Sequence, residues 1–312
     1  PIFRKKERKA SESLIDQRFA LLEIDQQILI NSLRFELHKS FIDWQYWYSK
    51  QQLDEEVLTL YLDLKSKTEL QFEVGDIDLV ELELFNNELS FKEQSHLSSR
   101  QKWNVSEAQL RRIALLDENI VLNASSLEAI TPDYFDFEIA NNTHLQKIQQ
   151  QKQALLIESH LESVSSKQTS WNLGYFGQSL EKETFFQGIN VGIQIPVDRR
   201  AAKVKSQQLK IVSEQLDNEQ NMKSQQIEQE MLTLLANIDY LKQAIDNFQE
   251  KILTRQTAIL EIARRQYEHS EIDFLRFSQI QERLITQKNT YLDLLKSYNE
   301  QVLYMQYLTF NN

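Results

Sequence analysis

Three observations predict a mainly α fold with a small β part, built from very long antiparallel coiled-coil helical hairpins in an internal duplication. First, the 312 residues contain only five Gly and three Pro, too few to turn a compact chain back on itself many times. Second, two of those prolines open the same pattern 195 residues apart, Pro1-Ile-Phe-Arg4-Lys5 and Pro196-Val-Asp-Arg199-Arg200. Third, four of the five Gly fall between residues 174 and 192, where apolar residues recur every second position instead of every third or fourth.

The displacement of 195 recurs at Leu14/Leu209, Leu89/Leu284, Leu97/Leu292 and Asn104/Asn299. It also relates the stretch Gln71–Asp78 to Gln266–Asp273. In mid-helix Ile42-Asp43-Trp44 matches Ile238-Asp239-Tyr240 at 196, which predicts a one-residue slip there.

The first helix is expected from about Phe3 to Phe72, on the order of 100 Å long. Gly75 supplies the backbone freedom to end it, and Asp78-Leu-Val-Glu81 reads as an acidic capping box opening a return helix to about Leu116. Residues 1–116 thus form one helical hairpin. Residues 117–137 lose the periodicity and contain Pro132, which predicts a connector with a short helix at Ser125–Ile130. The second copy, residues 138–312, opens with a helix from about Glu138 to Ser166.

Alternation then sets in at residues 169–196. Trp171, Leu173 and Tyr175 are apolar at odd positions, as are Ile189, Val191, Ile193 and Ile195, with Asn172, Gly174, Asn190, Gly192 and Gln194 between them. Period two means two strands with one apolar and one polar face, turning near Leu180–Thr184. From residue 197 a second long helical hairpin follows, its first helix running from about Asp198 to His269. Its apolar positions Ile227, Met231, Leu234, Ile238, Leu241, Ile245, Phe248, Ile252, Ile259 and Ile262 form a heptad seam interrupted only at Arg255, the mark of coiled-coil packing. The last helix returns from Ile272 to about Phe310. Before Pro196 the second copy has about 60 residues of helix and strand that the first lacks before Pro1, so the first copy reads as truncated, and the missing part could hold any targeting segment.

A net charge of −11 argues against nucleic acid or an anionic bilayer surface as main partner. Cysteine is absent, which fits an oxidising compartment but is also common elsewhere. No run of 18 apolar residues predicts a membrane helix, whereas a transmembrane β-hairpin is compatible with the strand pattern. The hairpin admits two readings. It could be a soluble cap with one face on a core, or a barrel segment with Trp171, Leu173, Tyr175, Ile189, Val191, Ile193 and Ile195 toward lipid.

Basic residues crowd the start of both long helices, Arg4, Lys5, Lys6, Arg8, Lys9 and Arg199, Arg200, Lys203, Lys205, against the helix dipole. Local acids such as Glu7 and Glu12, or lipid phosphates, could balance them. Acids crowd the turns: Glu73, Asp76, Asp78, Glu81, Glu83, and Glu268, Glu271, Asp273. They could cap helices or ring a pore mouth. The run Phe41–Tyr48 is aromatic enough to pack against the connector. The five His are scattered, and no phosphate loop, nucleophile motif or metal-ligand spacing supports an enzyme or a cofactor site.

Three stretches resemble the TolC-like outer-membrane efflux proteins, the outer membrane factors: Leu173-Gly-Tyr-Phe176-Gly-Gln-Ser-Leu180, Phe186-Gln-Gly188-Ile-Asn-Val191-Gly192-Ile-Gln-Ile-Pro196, and Gln266-Tyr267-Glu-His-Ser-Glu271-Ile272-Asp273-Phe274. The pattern is nearest to CzcC/CusC-type channels of metal-efflux RND systems, and the resemblance covers nearly the whole chain. It implies a homotrimer in which three chains share an outer-membrane barrel and a periplasmic helical tunnel, in a Gram-negative-type cell. It also implies partners: a periplasmic adaptor (membrane fusion) protein, an inner-membrane RND pump and outer-membrane lipid.

By the same resemblance the hairpin tips are the gate and the adaptor-docking site, at Val74, Gly75, Asp76, Asp78, Glu81, Ser270, Glu271, Asp273 and Arg276. The family's Val-Gly tip is present at Val74-Gly75, while the second copy has His269-Ser270. Glu81 falls where the family often carries an acid inside the entrance, but its counterpart is Arg276. The family's first helix and first strand pair are missing before Pro1, and six strands from three chains are too few for its twelve-stranded barrel. The expected function is passive export of small solutes or metal ions. The alternative is a soluble coiled-coil scaffold or a periplasmic adaptor, in which the hairpin is a small soluble cap.

Overall fold

The computed structural model describes residues 5–117, 119–132, 139, 142–167, 169–180 and 184–309. The expected helix starts at Phe3 and Glu138, the residue Arg4, the end at Phe310 and the turn at 181–183 lie outside them. The elements are α1 (Lys5–Glu73), α2 (Leu79–Ala114), α3 (Thr143–Ser165), β1 (Ser170–Leu180), β2 (Thr184–Gln194), α4 (Arg200–Phe248), a π-helical segment (Gln249–Leu253), α5 (Thr254–Glu268) and α6 (Phe274–Thr309). No helix among the described residues is long and apolar enough to cross a membrane.

Without Gly or Pro between residues 5 and 73, nothing in the sequence breaks α1, and it runs for 69 residues. Near its C-terminus it buries Leu53, Val57, Tyr61, Leu64, Thr68 and Gln71, steps of three and four that keep one face inward. α2 buries Phe85, Leu89, Lys92, Ser99, Ser106 and Leu110 on the heptad positions of its own seam. α2 ends where Leu115 takes a left-handed conformation (φ 52°) and Leu116 N–H donates to the Arg111 carbonyl at 3.0 Å. α3 begins at Thr143, because the Asn142 carboxamide accepts the N–H groups of His144 (3.0 Å) and Leu145 (3.4 Å) and caps it there. The extended Asn142 thus sets the start of this helix among the described residues.

The described chain falls into two compact units. One comprises residues 1–31, 136–229 and 309–312, and in it α3 is held from two sides. Toward α1, Lys147 pairs with Asp25 at 2.7 Å and Gln150 donates to Gln17 at 2.6 Å. Toward α4, Lys152 pairs with Asp217, Lys205 with Glu162 at 3.4 Å, and the hydroxyls of Ser159 and Ser206 lie 2.8 Å apart. Leu145, Ile148, Leu14 and Ile227 are buried there.

The other unit comprises residues 32–135 and 230–308 and has two apolar cores. One gathers Ile42, Leu127, Leu234, Ile238, Ile245, Tyr298 and Val302; the second gathers Leu53, Tyr61, Phe85, Tyr267, Phe274 and Phe277. The aromatic run packs as expected: Trp44 is buried, and Gln45 donates to Ser125 of the connector at 2.8 Å. The connector, however, has no helix at Ser125–Ile130. Its backbone groups are satisfied by the flanking helices instead. Leu127 N–H donates to Ser49 Oγ (2.9 Å), Ile130 N–H to Asn299 Oδ1 (2.9 Å), and the Glu128 carbonyl accepts from Asn299 Nδ2 (2.7 Å). Side chains fixed on long helices offer the irregular backbone what a short helix would have supplied internally.

The second long helix is unbroken from Arg200 to Glu268 but carries a π-helical segment at Gln249–Leu253. The seam is inward-facing as expected at Ile227, Leu234, Ile238 and Ile245, but after the π segment the buried positions become Gln256, Ala263 and Tyr267, and Ile259 and Ile262 are exposed. A π turn holds one extra residue, and one residue rotates every later side chain by about 100°.

Candidate functional site

The two strands pair antiparallel with Trp171 opposite Ile193, Leu173 opposite Val191 and Tyr175 opposite Ile189. Because side chains alternate, this register puts all six on one face. Their relative exposure lies between 46% and 72%, so among the described residues nothing covers that face. Ile195 is exposed too but follows the last strand residue, Gln194, and so is not a strand position.

The opposite face carries Asn172 opposite Gly192 and Gly174 opposite Asn190, as the alternation predicts. Toward the hairpin turn the faces change character. Phe176 lies opposite Gly188 and Phe186 opposite Gln178 on the polar face, while Gln187 lies opposite Gly177 on the apolar one. The Phe176 ring covers Gly188 and the Phe185 ring covers Gly177, where a Cβ would stand 2.8 and 2.9 Å from the ring atoms. These aromatics were not assigned to the site from the sequence. Their neighbouring glycines, each one ring-width of empty space, are the signal that could have found them. Tyr175 donates its hydroxyl to Gln187 Oε1 at 2.6 Å along the same face.

The two hairpin tips lie together in the other unit and share one backbone geometry. At the first, Gly75 (φ 82°) donates to the Phe72 carbonyl at 3.1 Å and Asp76 to the Gln71 carbonyl at 2.8 Å, a Schellman end. At the second, Ser270 (φ 56°) donates to Tyr267 at 3.0 Å and Glu271 to Gln266 at 2.8 Å. The missing glycine has therefore not changed the turn. Instead Ser270 holds the left-handed conformation, and its hydroxyl accepts from Gln71 Nε2 at 3.0 Å. Thr68 and Tyr267 join the tips again, hydroxyl to hydroxyl at 2.9 Å; burial pushes the Tyr267 phenol up to about 12.

The acids divide by role. Asp78 accepts the Glu81 N–H (2.9 Å) and Asp273 the Arg276 N–H (2.7 Å), so both are N-caps. The expected capping box is only half made: the Glu81 carboxylate does not return to its own helix but accepts the N–H of Phe274, at the start of α6, at 2.7 Å. Glu268 is tied to Arg264 (3.0 Å) and Lys67 (3.2 Å), and the Arg264 hydrogen bond holds its carboxyl below the ordinary carboxylate value. Glu73, Asp76, Glu83 and Glu271 are exposed and make no ion pair among the described residues. Val74 and Arg276 are exposed as well. Lys92, only 5% exposed, pairs with Glu88 at 2.8 Å and with Glu282. Among the described residues no group of three or more His, Asp or Glu is arranged to hold a metal ion.

No family model and no curated protein matches the chain. Solved structures do. A structure of CusC, described in terms of transmembrane channel formation, superposes with a TM-score of 0.80 at 16% identity, covering 98% of this chain and 74% of that one. The CmeC outer membrane channel of Campylobacter jejuni superposes at 0.78 with 12% identity, covering 97% and 67%. The outer membrane protein VceC of Vibrio cholerae gives 0.77 with 11% identity, covering 98% and 76%. The fold is that of the TolC-like outer-membrane channels. Long helical hairpins with a two-stranded sheet are thus borne out as the architecture.

Proposed function

We propose that the chain is a protomer of a passive outer-membrane and periplasmic exit duct in a tripartite efflux pump, exporting small solutes or metal ions. The observation that carries this reading is the β-hairpin: eleven residues per strand and, in the half away from the turn, an exposed apolar face opposite a polar one, on a fold shared with outer-membrane channels. Spanning strands need about 9–11 residues with this alternation. The soluble scaffold or adaptor is disfavoured because its cap would have to bury one strand face.

In this reading three copies assemble, and they work with a periplasmic adaptor and an inner-membrane RND pump in a Gram-negative-type cell. Trp171, Leu173, Tyr175, Ile189, Val191 and Ile193 face lipid. The tips, Val74 to Glu81 and Ser270 to Arg276, form the gate and the adaptor-docking surface. Asp78, Asp273 and Glu81 hold the tip shape through their backbone hydrogen bonds, while Asp76 and Glu271 present unpaired charge. The division into hairpin 1–116, connector 117–137 and second copy 138–312 is part of the same proposal.

Fractionation tests the reading. The protein is expected in the outer-membrane fraction as a trimer that dissociates on heating. A monomer that stays in solution without detergent would leave the scaffold reading in its place.

A further inference from the structure

At the foot of the β-hairpin the structure holds an open cleft of about 740 Å³ that is lined by five cations, Lys167, Arg199, Arg200, Lys203 and Lys210, and one carboxylate, Asp198. Asp198 is already engaged, accepting the Arg200 N–H at 2.9 Å. None of the five cations has a carboxylate partner among the described residues, whereas Lys205, close by on the same helix, is paired with Glu162 at 3.4 Å. Five like charges in one concavity of a chain of net charge −11 raise each other's free energy, and the first turn of α4 adds the positive end of a helix dipole to them. An anion in the cleft offsets both costs.

We infer that this cleft binds a phosphate group. Two guanidinium forks lining one cleft suit a tetrahedral oxyanion with several acceptor oxygens. Ser163 lines the same cleft and its hydroxyl can add a donor, whereas the Ser166 hydroxyl already donates to the Ser163 carbonyl at 3.1 Å and that of Ser206 lies 2.8 Å from Ser159 Oγ. Position suggests the source. Lys167 stands three residues before β1, and Arg199 five residues after β2. With the strands in a bilayer, a placement that rests on the function proposed above, the cleft lies at the level of the phospholipid headgroups that border them. The charged face at the start of α4 is then a lipid-phosphate ligand as much as a solvated surface.

The test uses native mass spectrometry of the detergent-purified full chain. It is offered phosphatidylglycerol or a diacylglycerol with the same acyl chains, and inorganic phosphate is titrated separately by calorimetry. Phosphatidylglycerol should be retained at least about tenfold over diacylglycerol, as charge-assisted hydrogen bonds require. The triple variant Arg199→Gln, Arg200→Gln, Lys203→Gln should lose that preference, and so should Lys167→Gln with Lys210→Gln. Lys205→Gln should keep it, and all should melt like the parent. Inorganic phosphate bound as tightly as the lipid, through the same residues, would support the site with a free anion as its source. Equal retention of the two lipids together with no phosphate binding, or full retention by both multiple variants, overturns the inference. A chain that proves soluble without detergent yet still binds phosphate through these residues would remove the membrane reading and leave the site standing.

Discussion

Glu268 shows how a tip acid can be structural and not functional. Its hydrogen bond from Arg264 and its pairing with Lys67 lower its pKa from the ordinary 4.5. A carboxyl with a depressed folded-state pKa stabilises the fold above its unfolded value, and that contribution is lost as pH falls through the lower folded value. The melting temperature of Glu268→Gln should therefore lie below the parent's at pH 7, with the gap closing as the solution is acidified below about 4. A gap that stays constant across that range would mean the carboxylate's charge is not what matters. The sequence revealed this tip only in part. Gly75 announces its left-handed turn, because glycine takes that conformation without steric cost. Ser270 does not, and its turn is legible only through its displacement from Gly75. That Glu81 caps the neighbouring helix and not its own could not be read at all: the spacing of Asp78 and Glu81 is the same in either case.

The second long helix carries the main lesson of register. Up to Ile252 the heptad in the sequence and the buried face agree, since each step of three or four returns to the same side. Beyond it, Gln256, Ala263 and Tyr267 point inward, and only Tyr267 looks like a core residue. The exposed Ile259 and Ile262 continue the apolar pattern, so the extra residue of the π segment was hidden by them. Ile245→Ala, at 2% exposure, should cost about 2–5 kcal/mol, and Ile259→Ala, at 44%, should stay within about 0.5 kcal/mol, in urea unfolding followed by circular dichroism. Equal losses at the two positions would restore the uninterrupted seam. The connector makes the complementary point. Its expected short helix was a local inference, and the partners that displaced it, Ser49 and Asn299, lie 78 and 169 residues away in the chain.

For the molecule as a whole, the duplication, the long helices and the β-hairpin were all legible, because each rests on periodicity or on the scarcity of glycine and proline. The proposed duct makes a demand on the tips that the structure narrows. Asp78 and Glu81 support backbone N–H groups, so replacing them would disturb the tip shape along with its charge. Asp76 and Glu271 isolate the charge. Asp76→Asn with Glu271→Gln should lower cation selectivity in single-channel recordings, while Asp239→Asn, hydrogen-bonded to Gln243 at 2.8 Å, should not. Unchanged selectivity in both would take tip charge out of the conduction mechanism.

The strand faces test the central claim most directly, because lipid distinguishes them and water does not. Two arginine variants one residue apart, at Val191 and at Asn190, should be compared for heat-labile trimer in the outer-membrane fraction. Arginine on the lipid face near the bilayer midplane costs roughly 2–4 kcal/mol, and a lumen-facing position tolerates it. The account predicts that Val191→Arg loses the assembled trimer and Asn190→Arg retains it. Equal assembly of the two would contradict a lipid-facing hairpin, and with it the outer-membrane duct.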